Sequence, residues 1–553
     1  MTDPNRLPED TADGKARAAA LASLNFDDVT PTSVVEFVSR GRCLVIGEEQ
    51  RAMDAARRLQ SSLSCVVAVP AESAPAATRV DGIGMVRGGR PVIRGALGDF
   101  TVSLEGSGDA RDLGSLLAPP VERFDLIVDL CTPRRLGQAM PPLGYYAPGA
   151  DEAALEAALA TLPEMTGSFE KPKFFDYDPE ICAHSRSGQP GCSRCINACP
   201  AEAIVSIGES IQVNPYLCQG GGACATACPT GAITYVYPPA ADLLNLLRRT
   251  LRAYADAGGT EPALLFHDES SRGAVFGALS PMPERVLPVQ VEEAGSVGMD
   301  AWLVGLAYGA AAVVVLTSDQ TPPQVVEAAQ DQLVTARALL AGMGYDEGRL
   351  QLVNADQAAV ALQTLAGLPQ GHSRRPATFA APGDKRGRLR MALEHLYADA
   401  PAPKRSIALP AGAPFGEVRV AAPACTLCMG CVSVCPTKAL QDGRGLPQLN
   451  FREWNCVQCG ICERTCPENA ISLNARFVYD VETREKPRLL HEEQPVCCVS
   501  CGKPFATQSM LDVLSRKLAD HWMFQTDEAR RRMLMCEDCR VRDMYAPGSR
   551  KGP

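Results

Sequence analysis

The chain has 553 residues, 46% of them hydrophobic and 5% aromatic, and 54 Lys and Arg stand against 64 Asp and Glu for a formal net charge of −10. That length suggests roughly three to five domains of ordinary size, and the acidic balance argues against nucleic acid as the main partner, since phosphate binding needs a basic face. The opening MTDPNRLPEDTADGK lacks the charged-then-apolar profile of a secretory leader and no twin arginine appears, so the 23 cysteines are expected as thiols of a cytosolic protein, not as a disulfide framework. The longest apolar run, AWLVGLAYGAAAVVVL from Ala301, is shorter than the roughly 18 to 20 residues a bilayer span needs and contains a helix-to-strand transition. It reads as buried core.

Residues 1–165 read as an α/β domain. RCLVIGEE, SCVVAVP and FDLIVDL are buried strands, a helix runs through AARRL, and RGGRPVIRGALGDFTVSLEG is hairpin material. The turn after LVIG lacks the glycine spacing that brings backbone against a pyrophosphate. Cys43, Cys65 and Cys131 lie in or beside apolar strands and are expected to be buried and inert.

Next along the chain begins a string that occurs four times: CPAEAI from Cys199, CPTGAI from Cys228, CPTKAL from Cys435 and CPENAI from Cys466, each preceded by closely spaced cysteines. Two copies are complete. TLCMGCVSVCP supplies Cys425, Cys428, Cys431 and Cys435, and VQCGICERTCP supplies Cys456, Cys459, Cys462 and Cys466. In this spacing three thiolates wrap one iron–sulfur cubane and the fourth, followed by Pro, reaches the neighbouring cluster. One 4Fe-4S cluster is therefore expected on Cys425, Cys428, Cys431 and Cys466, the other on Cys456, Cys459, Cys462 and Cys435. Residues 410–480 resemble the bacterial dicluster ferredoxins, which implies a small β-α-β-β-α-β module.

Residues 166–238 resemble the same family with two departures. In GQPGCSRCINACP, Gln189 stands where the leading cysteine belongs, while Cys192, Cys195 and Cys199 keep their places. Cys182, in CAHSRSG, is the expected replacement, with His184 a second candidate. In LCQGGGACATACP, Cys218, Cys224 and Cys228 are present but Gly221 takes the place of the second ligand. The crossed rule then gives one cluster Cys182, Cys192, Cys195 and Cys228, and the other only Cys218, Cys224 and Cys199. Three thiolates suit a 3Fe-4S cluster, or a 4Fe-4S cluster whose fourth iron has another ligand. Three to four 4Fe-4S clusters are thus expected in the chain.

Residues 239–366 alternate again: a helix with Leu243, Leu244, Leu247 and Leu251 on one face, then ALLFH, RVLPVQV, AVVVL and RLQLV as strands, with helices after Gly295 and Pro323. This implies a mostly parallel sheet with helices on both sides. The stretch from Val286 to Val353 resembles the small δ subunit of methyl-viologen-reducing hydrogenases, but its cluster cysteines are absent, so a spacer or docking domain is expected. His267 reads as a hydrogen-bonded core residue. Residues 367–409 read as a linker region on the strength of GLPQGHSRRPATFAAPGDKRGR, and basic clusters such as DKRGRLR and EARRRM as solvated faces or docking patches.

In the tail, 481–553, two C-x2-C knuckles place Cys498, Cys501, Cys536 and Cys539 at zinc-ligand spacing; a rubredoxin-like iron centre has the same ligand logic. Cys497 is the spare thiol. Between the knuckles Met510, Leu511, Leu514, Leu518 and Met523 form a stripe expected to pack on the complete cluster module. No nucleophile–base pair or dinucleotide fingerprint stands out.

The fold expected is multi-domain α/β with two ferredoxin-like α+β dicluster modules and a zinc-knuckle tail. The order of parts resembles the large ferredoxin-type proteins that accompany bacterial molybdenum formate dehydrogenases, with phrases such as FEKPKFFDY and CAHSRSG. That resemblance implies a cytosolic relay between a dehydrogenase and an acceptor. An accessory factor for a molybdoenzyme, or an oxidoreductase subunit with a further cofactor, are the alternatives.

Overall fold

In the computed structural model, residues 11–24, 31, 33–106, 109–278, 282–366, 375–381 and 383–545 are described; the first ten residues and 367–374 of the expected linker lie outside them. The apolar runs of the first domain form parallel strands at Arg42–Ile46, Ser64–Val69 and Leu126–Asp129 in the middle of an eight-stranded sheet. Their residues are apolar without alternation because both faces are covered. Helix Glu49–Leu59 begins where the Glu48 carboxylate accepts from the Gln50 and Arg51 amides, and it buries Ala52, Met53, Ala56 and Leu59 on the sheet. The expected hairpin pairs Ile83–Arg94 with Thr101–Glu105. Cys43 is fully buried opposite Cys65, which is half-buried like Cys131.

The central domain is a four-stranded parallel sheet in the order Val286–Gln290, Ala263–His267, Ala312–Thr317, Leu350–Asn354. The apolar run from Ala301 does turn from helix, Met299–Ala307, into strand, Ala312–Thr317. Among the described residues no helix is long and apolar enough to cross a membrane. His267 is buried, with its Nδ1 3.3 Å from the Asp268 carbonyl oxygen.

Two segments depart from the expected arrangement. Helix Ala12–Ala22, inside the stretch assigned to the first domain, packs on helix Ala240–Asp256 of the central one, with Ala16 and Ala20 in its core and Tyr254 Oη donating to Asp13. Helix Lys385–Ala398 lies inside the expected linker and buries Leu389, Ala392 and Leu393 against Met299–Ala307. The DKRGRLR cluster is correspondingly no solvated face: Arg388 forms a buried ion pair with Asp300 at 2.8 Å, and Lys385 Nζ donates to the Ala225 and Thr226 carbonyls. A basic helix can enter a core when every charge meets a carboxylate or carbonyl. In the EARRRM cluster, Arg530 and Arg531 are exposed as expected.

Each cysteine-rich module is a small α+β unit. In the first, Phe175–Tyr177 pairs with Ile233–Tyr235 and Ile204–Ile207 with Ser210–Val213; in the second, Gly416–Val420 pairs with Ile471–Val478 and Leu440–Gly443 with Leu446–Phe451. The tail stripe does not pack as expected. Leu511 is buried, but Leu514 and Met523 are 42% and 53% exposed, and the tail is held to the second module by Thr507 Oγ1 donating to the Thr426 carbonyl and by Lys517 with Glu468.

Candidate iron–sulfur and metal centres

The repeated string has a common geometry. Three residues after each cysteine the backbone is left-handed, at Glu202, Gly231, Lys438 and Asn469, with φ between 49° and 79°. That kink turns the chain back so that the next amide faces the sulfur: Ala203, Ala439 and Ala470 N–H donate to Cys199, Cys435 and Cys466 Sγ at 3.3 to 3.4 Å. In the fourth copy Ala232 N–H is taken by Thr230 Oγ1, which itself lies 3.5 Å from Cys228 Sγ. Amide-to-sulfur bonds stabilise thiolate charge and set cluster potential.

In the second module Cys425, Cys428, Cys431 and Cys466 line one cavity and Cys435, Cys456, Cys459 and Cys462 another. These are the two sets that crossed spacing predicts. Burial, reinforced by Cys425, Cys428 and Cys466, pushes the Cys431 thiol up to about 12. Burial likewise pushes Cys456 up to about 12, although Gln458 Nε2 donates to its sulfur at 3.2 Å. Ionising thiols so crowded needs cationic compensation, which bound iron would supply. The donor set fits a cubane in each cavity.

The first module repeats the arrangement with two departures, at Gln189 and Gly221. The insertion after Cys182 is a tight hairpin, Ser185–Arg186 against Gln189–Pro190, that returns the chain to Cys192. Cys192 N–H donates to the Ala183 carbonyl at 2.7 Å, so Cys182 and Cys192 flank one turn. Burial, with the charges of Cys228, Cys192 and Cys182, pushes the Cys195 thiol up to about 12, and Cys182, Cys195 and Cys228 lie in one buried cluster. His184 is no ligand here: Nδ1 is 3.0 Å from the Cys192 carbonyl and Nε2 2.7 Å from Ser206 Oγ, so both ring nitrogens are engaged in holding the hairpin. Burial, followed by the charges of Cys218, Cys199 and Cys195, raises the Cys224 thiol, and Cys199, Cys218 and Cys224 all pack against the buried core of this module. Lys171 was not legible as a site residue. It comes from the edge strand Gly167–Pro172 and its Nζ donates to the Cys218 carbonyl at 2.6 Å, burial lowering its pKa to about 8.

The two modules meet at their cysteine loops. Arg464 Nη1 donates to the Pro190 carbonyl at 2.7 Å, Arg194 reaches the Gly412 carbonyl, and Gly191 lies directly against Ile461. Gly191 precedes Cys192 and Ile461 precedes Cys462, so the seam runs between ligand loops. Burial and Cys435 raise the Cys459 thiol, and Cys192 across the seam adds to them.

In the tail the four sulfurs of Cys498, Cys501, Cys536 and Cys539 lie within 4.8 Å of one another. The hairpin Pro495–Cys497 with Pro504–Thr507 presents the first knuckle, turned by left-handed Gly502, and helix Glu537–Tyr545 presents the second. Cys497 is exposed and outside the group. This is a closed four-thiol metal site.

Comparison with known proteins bears on the two modules. The 4Fe-4S dicluster domain matches residues 424–471, and the 4Fe-4S binding domain matches 211–234. The chain is similar to the ferredoxin-type protein NapF of Escherichia coli K12, 34% identical over 59 residues, which is 10% of this chain and 36% of that protein. It is also similar to Ferredoxin-1 of Caulobacter vibrioides, 42% identical over 50 residues, 9% of this chain and 42% of that protein. The chain thus spans less than half the length of these relatives, and the matched regions are ferredoxin-type 4Fe-4S binding domains.

Proposed function

We propose that the chain is a cytosolic electron relay whose clusters stand in one row. The observation that carries this reading is the seam between the modules, where ligand loop meets ligand loop instead of one outer surface meeting another. Within the first module helix Arg194–Asn197, which carries Cys195, packs on Ala223–Ala227, which carries Cys224, and within the second Gly430–Ser433, with Cys431, packs on Ile461–Thr465, with Cys462. The order of thiol groups is then Cys199, Cys218 and Cys224; Cys182, Cys192, Cys195 and Cys228; Cys435, Cys456, Cys459 and Cys462; and Cys425, Cys428, Cys431 and Cys466. When bound there, iron–sulfur clusters supply one-electron transfer, while the protein tunes potential through burial and amide-to-sulfur bonds. Cys428 is exposed, which suits the last group for exchange with a partner. A dehydrogenase, formate dehydrogenase first among them, is the partner class we favour. Zinc in the closed tail site holds the fold and has no open position for substrate.

The test is an anaerobic preparation with metal analysis and stepwise reduction followed by electron paramagnetic resonance. Four clusters and one zinc per chain are expected, with reduced signals broadened by interaction between the modules. Finding only the second module's clusters after full reconstitution, or two pairs that never exchange electrons, would reject the relay.

A further inference from the structure

Gly221 removes a ligand from its loop, and the structure puts another sulfur in the space. A Cβ at residue 221 would stand 3.2 Å from Met140 Sδ and 3.4 Å from Pro200 Cγ. Gly221, unlike Gly220 and Gly222, does not have a left-handed φ. The backbone therefore does not require glycine there; room for the methionine does. Met140 belongs to the first α/β domain and is brought to the site by a braced loop. The buried Asp129, at the end of strand Leu126–Asp129, accepts from the Cys131 and Arg135 amides and from Tyr145 Oη, while Tyr145 Oη accepts from the Leu136 amide. At the tip, Met140 N–H donates to the Pro200 carbonyl at 3.0 Å, fastening Met140 beside Cys199, one of the three thiols of the site.

We propose that Met140 replaces the missing cysteine, its Sδ lone pair serving as fourth sulfur donor to the iron–sulfur cluster of Cys199, Cys218 and Cys224. This rests on the reading of those three thiols as a cluster site. Only a dative bond forms; no proton or electron moves. A thioether is soft enough for iron, as in haem proteins with an axial methionine, and it is neutral where cysteinate is anionic. The cluster therefore carries one negative charge fewer than its all-cysteine neighbours and has the higher potential, which makes it an electron sink at its end of the row.

The test compares the full-length protein with Met140→Leu, which keeps the volume and removes the donor, after mild ferricyanide oxidation of anaerobic samples. Met140→Leu is expected to raise the 3Fe-4S resonance several-fold, to near stoichiometry with the chain, while the wild type resists. Labelling with selenium-77 selenomethionine should add a hyperfine coupling to this cluster that Met140→Leu abolishes. Equal 3Fe-4S intensity in both proteins and no selenium coupling would overturn the ligand. Cys224→Ser separates the two levels: if it loses no iron, the site itself was misread, whereas lost iron with no effect of Met140→Leu refutes Met140 alone.

Discussion

Substituting Gly191 by Ala tests whether the seam between modules is as tight as its geometry implies. Gly191 has an ordinary φ, so alanine brings no backbone strain, only a methyl group. That methyl would stand 2.4 Å from the Ala183 carbonyl oxygen and 2.8 Å from Ile461 Cδ1 and Cγ1. To reach ordinary contact the neighbours must withdraw by about half to one ångström, and forced overpacking of this kind costs about 1–3 kcal/mol. Both neighbours matter. The Ala183 carbonyl accepts from Cys192 N–H, so moving it loosens the turn between Cys182 and Cys192; moving Ile461 shifts the residue beside Cys462. The expected result is a lower melting temperature and weaker magnetic interaction between the modules, with the resonances of the Cys425 group unchanged. Arg464→Ala provides the milder comparison, because it removes exposed hydrogen bonds to the Pro190 and Cys459 carbonyls and adds no volume. A Gly191→Ala protein with wild-type iron content, melting temperature and inter-module coupling would show that the loops are not in contact in solution.

Cys498→Ser or Cys539→Ser should release the tail metal and loosen 495–545 while leaving cluster spectra nearly unchanged, because the sites share no thiol; cluster loss with zinc retained would reverse that assignment. Asp300→Ala should destabilise the protein by about 3–5 kcal/mol in denaturant unfolding, the cost of stranding a buried charge, here Arg388. Burial opposes Asp300 ionisation, but Lys385 and Arg388 outweigh it and hold its pKa below the usual aspartate value. The stability it contributes is thus complete above the unfolded-state pKa and is lost as pH falls through the depressed one, a loss that Asp300→Ala should abolish on the acid side of the profile. Gly295→Ala, far from any cysteine in sequence, should damage the Cys218 site, since its Cβ would meet the Gly221 carbonyl at 2.4 Å and Val325 Cγ1 at 2.8 Å; iron analysis showing no loss would refute this.

The cysteine groups of the second module and the tail were legible because their ligands are local: C-x2-C-x2-C and C-x2-C fix several donors on one turn, whatever surrounds them. The parallel strands were legible for a similar reason, since VVVL and LIVD are apolar without alternation only when covered on both sides. What the sequence hid was long-range. Nothing near Ala16 and Ala20 says that they belong under Leu247 and Leu251, and nothing in DKRGRLR says that Asp300 waits for Arg388. The helix stripe in the tail failed in the opposite sense. Its periodicity is real, yet among its residues only Leu511 is buried, with Met510 and Leu518 half-buried, because periodicity reports an apolar face and not the surface that meets it.

The two modules differ in what surrounds their cysteine loops. The second module finds every thiol within its own 424–471 stretch. The first lacks two loop cysteines, and the replacements proposed for them come from outside the motif: Cys182 from upstream, through a hairpin locked by His184, and Met140 from a loop of the first α/β domain. The glycine run 220–222 records that enclosure residue by residue, because Gly220 makes room for Phe174, Gly221 for Met140 and Gly222 for Ser296 of the central domain. A loop pressed on three sides has no space for ordinary side chains and little freedom to rearrange. On the proposed reading, the α/β domains need no clusters of their own to matter: Phe174, Met140 and Ser296 pack around Gly220, Gly221 and Gly222 and hold that loop in shape.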